Sequence, residues 1–176
     1  MKYPFLLTLA LLSTLLVSCG DDATDSVLTT WQDTYPAIAS AFGSSIDLDN
    51  LDSYANLAIP AYISKDNTGG NSITDEKAML GRVLFYDQKL SIDNSISCSS
   101  CHKQAFAFSD TAMVSTGVNG VTGRHSMRLI NSRFSDEFKF FWDERASSLE
   151  EQTTMPIQDH AEMGFSGQNG DPSLAD

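Results

Sequence analysis

Cys98-Ser99-Ser100-Cys101-His102 is the stretch whose reading decides how the rest of the chain is understood. Two thiols one helical turn apart, with an imidazole directly after the second, suit the edge of a porphyrin. The sulfurs can form thioethers with its two vinyl groups while His102 reaches the iron, which is the spacing of covalent c-type haem attachment. Three other chemistries use paired cysteines. A thioredoxin-like redox pair needs a β-α-β setting, whereas Ser91-Ile92-Asp93-Asn94-Ser95-Ile96-Ser97 reads as a polar loop. Structural zinc needs four ligands, so His125 or His160 would have to complete an unusual set. A disulfide across so short a loop removes little chain entropy and leaves His102 without a task.

The beginning of the chain reads as an export signal. Lys2 supplies a short basic start, Phe5 to Val17 is an apolar run, and Leu16-Val17-Ser18-Cys19 looks like a bacterial lipobox. The run is too short to span a bilayer comfortably, so residues 1–18 are expected to be a lipoprotein signal peptide and Cys19 the lipidated first residue of an exported, membrane-anchored protein of the periplasm or outer membrane. All three cysteines then have tasks. Removing residues 1–18 of the 176 leaves 158, enough for one domain with a modest core. The net charge of −12 makes nucleic acid an unlikely partner. Much of the acid lies early, where Asp21, Asp22, Asp25, Asp33, Asp47, Asp49, Asp52 and Asp66 share the stretch with Lys65 alone.

Residues 19–73 are expected to form an acidic tether followed by a helical and looped extension. Leu28, Trp31, Tyr35, Ile38 and Phe42 fall on one helical face, with Pro36 forcing a kink or a later start. Residues 74–176 hold the haem segment. Thr74 is a plausible N-cap for a helix that has Asp75 and Glu76 in its first turn, carries Leu80, Val83 and Leu84 toward the core, and ends near Asp87. Phe106-Ala107-Phe108 adds apolar bulk, and Ser115 to Gly123 reads as an irregular loop able to fold over a cofactor edge. Arg124, Arg128, Arg133, Lys139 and Arg145 form a basic set from which one or two side chains could hold anionic propionates. Ser147-Ser148-Leu149-Glu150 has capping-box spacing and should open a short helix that Pro156 breaks. Repeats are absent and strand alternation is slight, so the fold class is mainly α: a cytochrome c-like helical haem domain with long loops.

The chain resembles the N-terminal half of the bacterial di-haem cytochrome c peroxidases and of their relatives that mature tryptophan-derived quinone cofactors. The resemblance runs through Leu80-Gly81-Arg82-Val83-Leu84-Phe85-Tyr86-Asp87, Cys98 to His102, Ala107-Phe108-Ser109-Asp110 and Phe141-Trp142-Asp143-Glu144-Arg145. It continues through Ser148-Leu149-Glu150-Glu151-Gln152, Met155-Pro156-Ile157 and Glu162-Met163-Gly164. It implies that Cys98, Cys101 and His102 bind one haem c, with His102 the axial ligand on the peroxide-reacting iron. Glu162 matches the family's distal acid, Gln152 the amide beside it, Pro156 a pocket-shaping residue, and Trp142 a relay for incoming electrons. A carboxylate so placed can move a proton between the oxygens of hydrogen peroxide, general acid-base help worth about 10² to 10⁴ in rate.

Three departures from the family pattern shape the expectations. No second Cys-x-x-Cys-His follows, so the electron-entry haem of the C-terminal domain is expected to be missing or to reside on a partner chain. Gly117 is followed by Val118 where many relatives have Gly-His, which implies an iron open without reductive activation. His125 stands where the family commonly has an Asn of an interdomain calcium site, and with the partner domain expected to be absent, calcium is not expected. The leading expectation is reduction of hydrogen peroxide with electrons from a small c-type cytochrome or cupredoxin. A mono-haem electron carrier with an axial methionine, from Met79, Met113, Met127, Met155 or Met163, competes with it. Oxidation of residues on a protein partner is a third possibility.

Overall fold

The computed structural model describes residues 30–137 and 139–176. The expected signal peptide, Cys19 and Leu28 lie outside the described residues. By internal packing the chain divides into two units, Met1–Ser45 and Ile46–Asp176. No helix among the described residues is long and apolar enough to cross a membrane.

In the first unit, the expected helical face is split at the proline. Helix α1 spans Trp31–Thr34 and α2 spans Pro36–Phe42, with Tyr35 between them in a non-helical conformation at φ −127° and ψ 63°. Pro36 occupies the first position of α2, where its fixed φ suits a helix and its missing N–H costs nothing. Trp31 is buried.

The second unit is built from short helices and long connections with one small sheet. Helix α3 spans Asp75–Tyr86, and its N-terminus is capped as expected, the Thr74 hydroxyl accepting from the Lys77 N–H at 3.2 Å. Its inward face differs from expectation: Met79 is buried, whereas Leu80 is 58 % exposed and Leu84 39 %. Leu80 lies about 100° and Leu84 about 140° around the helix from Met79, so a helix that seats Met79 turns both leucines outward. Phe85 packs edge-on against Phe108, ring centroids 5.8 Å apart, joining α3 to the segment after the cysteines. The single-turn helix α4 spans Cys98–Cys101.

Ser115 to Gly123 is more ordered than its glycines suggested. It forms an antiparallel hairpin, β1 at Thr116–Gly117 and β2 at Gly120–Val121. The last helix, α5, spans Leu149–Thr154 and stops before Pro156. Its cap sits one residue later than the spacing indicated: the Ser148 hydroxyl accepts from Glu151 N–H, while the Glu151 carboxylate reaches back to Ser147 N–H at 2.8 Å.

Buried apolar side chains are few in this unit: Ile46, Met79, Phe140, Ala146 and Met163. A polar core stands beside them. Asp110 accepts from Lys103 Nζ at 2.6 Å, Ser115 Oγ at 2.7 Å, and the N–H groups of Thr111 and Ala112. Ser115 Oγ in turn accepts from Ser126 Oγ, and Ser115 N–H donates to the Thr122 hydroxyl. Buried polar groups are stable only when paired in this way. The Lys103 ammonium first, then the Ser115 hydroxyl, holds the Asp110 carboxyl well below the usual carboxylate range.

A carboxylate whose folded pKa is lowered stabilises the fold above its unfolded value and loses that contribution as pH falls through the folded value. Asp110→Ala is therefore expected to lower stability at neutral pH by about 1 to 3 kcal/mol, because the buried Ser115 hydroxyl and three part-buried donors lose their acceptor. Urea denaturation checks this, and the variant's disadvantage should shrink as pH drops below the ordinary value of 3.8.

Candidate functional site

The segment Cys98 to Ser109 builds one wall of the site. Ser97 caps α4 and places both thiols on one turn, and Cys98 and Cys101 are free rather than joined. Burial pushes both thiols above the ordinary value, and the nearby Glu162 carboxylate adds to the effect at Cys101. A reactive dithiol has the opposite environment, with the thiolate stabilised.

Beyond the cysteines the chain turns tightly. Ala107 and Phe108 both adopt left-handed backbone conformations, φ 60° and 56°, at a cost of about 1 kcal/mol or more each for residues with a Cβ. The turn is closed by Lys103 N–H donating to the Ser109 carbonyl and Phe108 N–H donating to the Lys103 carbonyl, each at 3.0 Å. Its product is the Phe108 carbonyl, which accepts from His102 Nδ1–H at 2.9 Å. A carbonyl cannot donate, so the proton sits on Nδ1 and Nε2 keeps its lone pair for a metal.

Opposite elements supply the rest. A cavity of about 780 Å³ is lined by Cys98, Cys101, His102, Trp142, Gln152, Pro156 and Glu162 together. All seven residues singled out from the sequence therefore meet at one place. Phe85, Ile96, Met127 and Leu129 give it apolar walls.

The turn that carries Glu162 is held by backbone hydrogen bonds on two sides. Asp159 Oδ1 accepts from the N–H groups of Ala161 and Glu162, at 2.9 and 3.0 Å. The Glu162 carbonyl accepts from Val118 N–H of the hairpin. Gly164 ends the turn at φ 90°, against Ile92. Among the described residues, the Glu162 carboxyl and the Gln152 amide form no side-chain hydrogen bond, so both face the cavity without a protein partner. Burial raises the Glu162 pKa, the Asp159 carboxylate raises it further, and Arg145 opposes them.

Trp142 sits at the tip of a loop closed by the Phe140–Ala146 bridge. It is 59 % exposed, and its indole N–H donates to the His125 carbonyl at 2.8 Å. It is thus a rim residue fixed in orientation, not part of the core. Of the basic set, Arg124 and Arg145 line the cavity and share Asp143, each at 2.8 Å. Arg133 is turned away onto Asp66, and Lys139 onto Glu144.

The donor set fits a haem. The volume lies within the range of cofactor pockets, about 300 to 1,000 Å³; two unpaired thiols and a free imidazole nitrogen face it, and two guanidinium groups stand by for carboxylates. It does not fit zinc, since among the described residues no three His, Cys, Asp or Glu side chains cluster in a metal-holding arrangement. His125 bonds Ser109 and Ala112, and His160 pairs with Asp171. Of the candidate methionines, only Met127 and Met163 line the cavity, while Met113 is 85 % exposed.

Two features escaped the sequence reading. Phe106-Ala107-Phe108 was legible as apolar bulk, yet its contribution is a backbone carbonyl, for which no side-chain signal exists. Asp159 did carry a signal: an Asp two and three residues ahead of the N–H groups it accepts has the spacing of a local cap.

Comparison with known proteins supports the same grouping. A family model described as "Di-haem cytochrome c peroxidase" matches residues 75–174. Cytochrome-c peroxidase IdrP1 of Pseudomonas sp. (strain SCT) is 37 % identical over 141 residues, 78 % of this chain and 34 % of the relative. Methylamine utilization protein MauG of Methylorubrum extorquens is 38 % identical over 97 residues, 54 % of this chain and 27 % of the relative. Cytochrome c551 peroxidase of Pseudomonas aeruginosa is 36 % identical over 95 residues, 53 % of this chain and 27 % of the relative. The crystal structure of a MauG-like protein associated with microbial copper homeostasis aligns with a TM-score of 0.57 and 37 % identity, covering 65 % of this chain and 36 % of that one. The chain thus spans about a third of the length of such relatives. With both thiols, His102, Gln152 and Glu162 inside the matched region and around one cavity, the chain belongs to the di-haem cytochrome c peroxidase family.

Proposed function

We propose that this chain is a cytochrome c-like haem domain that reduces hydrogen peroxide to water, H2O2 + 2 e⁻ + 2 H⁺ → 2 H2O. Cys98 and Cys101 would hold one haem through thioethers, and His102 Nε2 would bind its iron. The electrons come from a small c-type cytochrome or cupredoxin, directly or through a second haem-bearing segment. Residues 1–18 direct export, and lipidated Cys19 tethers the protein in the periplasm or at the outer membrane. One observation carries the catalytic part: Glu162, an unbonded carboxyl raised in pKa by burial, faces the same cavity as the free His102 Nε2.

Haem iron, when bound, supplies electrons and the position at which the peroxide O–O bond is broken. The chain's own residues manage the proton. Glu162 accepts it from one peroxide oxygen and returns it to the departing one, and its raised pKa brings donor and acceptor forms closer in energy near neutral pH. Gln152 orients peroxide by a hydrogen bond from its unengaged amide. The Phe108 carbonyl keeps Nδ1 of His102 protonated, which increases the basicity of the ligating nitrogen. Trp142, fixed at the rim, lies where electrons from outside can enter.

A second reading, an electron carrier with methionine sulfur on the iron, is favoured by the burial of Met163, 3 % exposed at the cavity wall. The ferric spectrum separates the two: high-spin iron supports the peroxidase, and a low-spin form with a methionine-to-iron band supports the carrier.

In a host competent for cytochrome maturation, the protein is expected to keep its haem on a denaturing gel. The Cys98→Ala/Cys101→Ala double variant should lose it. Glu162→Gln is expected to have two effects of opposite sign. Stopped-flow reaction with peroxide should slow by about 10² to 10⁴. Because a raised carboxyl pKa penalises the folded state above its unfolded value, the variant should also melt higher at neutral pH, and the difference should vanish below about 4.5. An unchanged peroxide rate removes Glu162 from the chemistry.

A further inference from the structure

The hairpin β1–β2 approaches the Glu162 turn more closely than any side chain would permit. A Cβ built on Gly117 would lie 2.0 Å from the Ala161 carbonyl oxygen and 2.9 Å from Glu162 Cα. Gly117 has no need of a left-handed conformation, so close approach alone accounts for glycine here. The contact lets three consecutive carbonyls be taken by the hairpin. Asn119 Nδ2 donates to His160, Asn119 N–H to Ala161, and Val118 N–H to Glu162, at 2.9, 3.3 and 3.0 Å. From the other side, the Asp159 carboxylate collects the N–H groups of Ala161 and Glu162. The backbone of Glu162 is thereby bonded at both its N–H and its C=O.

We propose that Gly117 and Asp159 are positioning residues that clamp the Glu162 backbone from opposite sides, fixing where its carboxyl stands in the cavity. The inference rests on the reading of Glu162 as the acid-base group. A clamp on the main chain suits this task because the carboxyl itself must stay unbonded to exchange a proton. Restraint through its own side chain would occupy the oxygens that the reaction uses. A displacement of about 1 Å at a reacting group can cost about 10²-fold in rate.

The test uses haem-loaded Gly117→Ala, Asp159→Ala, Asp159→Asn and Glu162→Gln, the first three also combined with Glu162→Gln. Two quantities are read: the peroxide rate, and the carbon monoxide stretching band of the reduced protein, which reports polar groups beside the bound gas without needing turnover. Gly117→Ala and Asp159→Ala should lower kcat about tenfold or more with little change in KM. Both should move the band toward that of Glu162→Gln. Asp159→Asn keeps an oxygen acceptor and should restore the band most of the way, with the rate recovering in part because the charge beside Glu162 is gone. In the Glu162→Gln background neither Gly117→Ala nor Asp159→Ala should cause further loss, as expected when residues act through one group.

The clamp is overturned if Glu162→Gln changes rate and band while Gly117→Ala and Asp159→Ala change neither. It is overturned equally if Asp159→Asn leaves the band as displaced as Asp159→Ala does, or if the losses persist undiminished without Glu162. Should Gly117→Ala fail to fold, the Asp159 pair decides alone. If Glu162→Gln itself alters neither readout, the acid-base reading falls first and takes the clamp with it.

Discussion

The hydrogen bond from His102 Nδ1–H to the Phe108 carbonyl is the constraint from which the site's geometry follows. To aim that carbonyl back at residue 102, the chain must reverse within six residues, and it does so through two consecutive left-handed residues that bear side chains. Such a turn is unfavourable alone. It persists because its ends are locked: the Lys103–Ser109 bridge closes the backbone, Phe85 packs on Phe108, and Ser109 Oγ bonds the Ser126 carbonyl. Lys103 and Asp110, which flank the turn, then join across it. The strain is thus carried by a network that also orients the imidazole, the usual place for strain in a functional site.

A second balance concerns the two kinds of carboxyl. Asp110 is surrounded by donors and held ionised; its charge is structural. Glu162 is desolvated, has no donor among the described residues, and sits near another carboxylate; its charge is disfavoured. A fold selected only for stability would place a glutamine or an apolar side chain at 162. An unsatisfied, raised carboxyl facing a cavity is what the proposed proton transfer requires.

The legible parts of the chain were those written in side chains. Cys98, Cys101 and His102 announce their spacing, Thr74 its cap, and Pro36 its break, and each local device forms where the residues indicated or within one position of it. The helix face of α3 was misread because Leu80 and Leu84 are as apolar as the residues that do turn inward; the pattern of leucines alone could not rank them against Met79. The hairpin was missed because two-residue strands leave too little alternation to register. Backbone acceptors such as the Phe108 carbonyl leave no trace in composition. What they require, namely left-handed conformations at Ala107 and Phe108, runs against the preference of those residues.

The hairpin also explains how so small an apolar core can keep a large cavity in shape. Ser115, just before its first strand, bonds Asp110, and Asp110 bonds Lys103, the neighbour of His102. Cys101 Sγ lies 3.9 Å from the carbonyl of Thr116, the next residue along. Then Gly117, Val118 and Asn119 meet the turn that carries Glu162. The five residues 115–119 therefore touch the cysteine and histidine wall at their start and the acid wall at their end. Hydrogen bonds are directional where apolar packing is not. Spacing two walls by a hydrogen-bonded segment fixes their separation without filling the space between them.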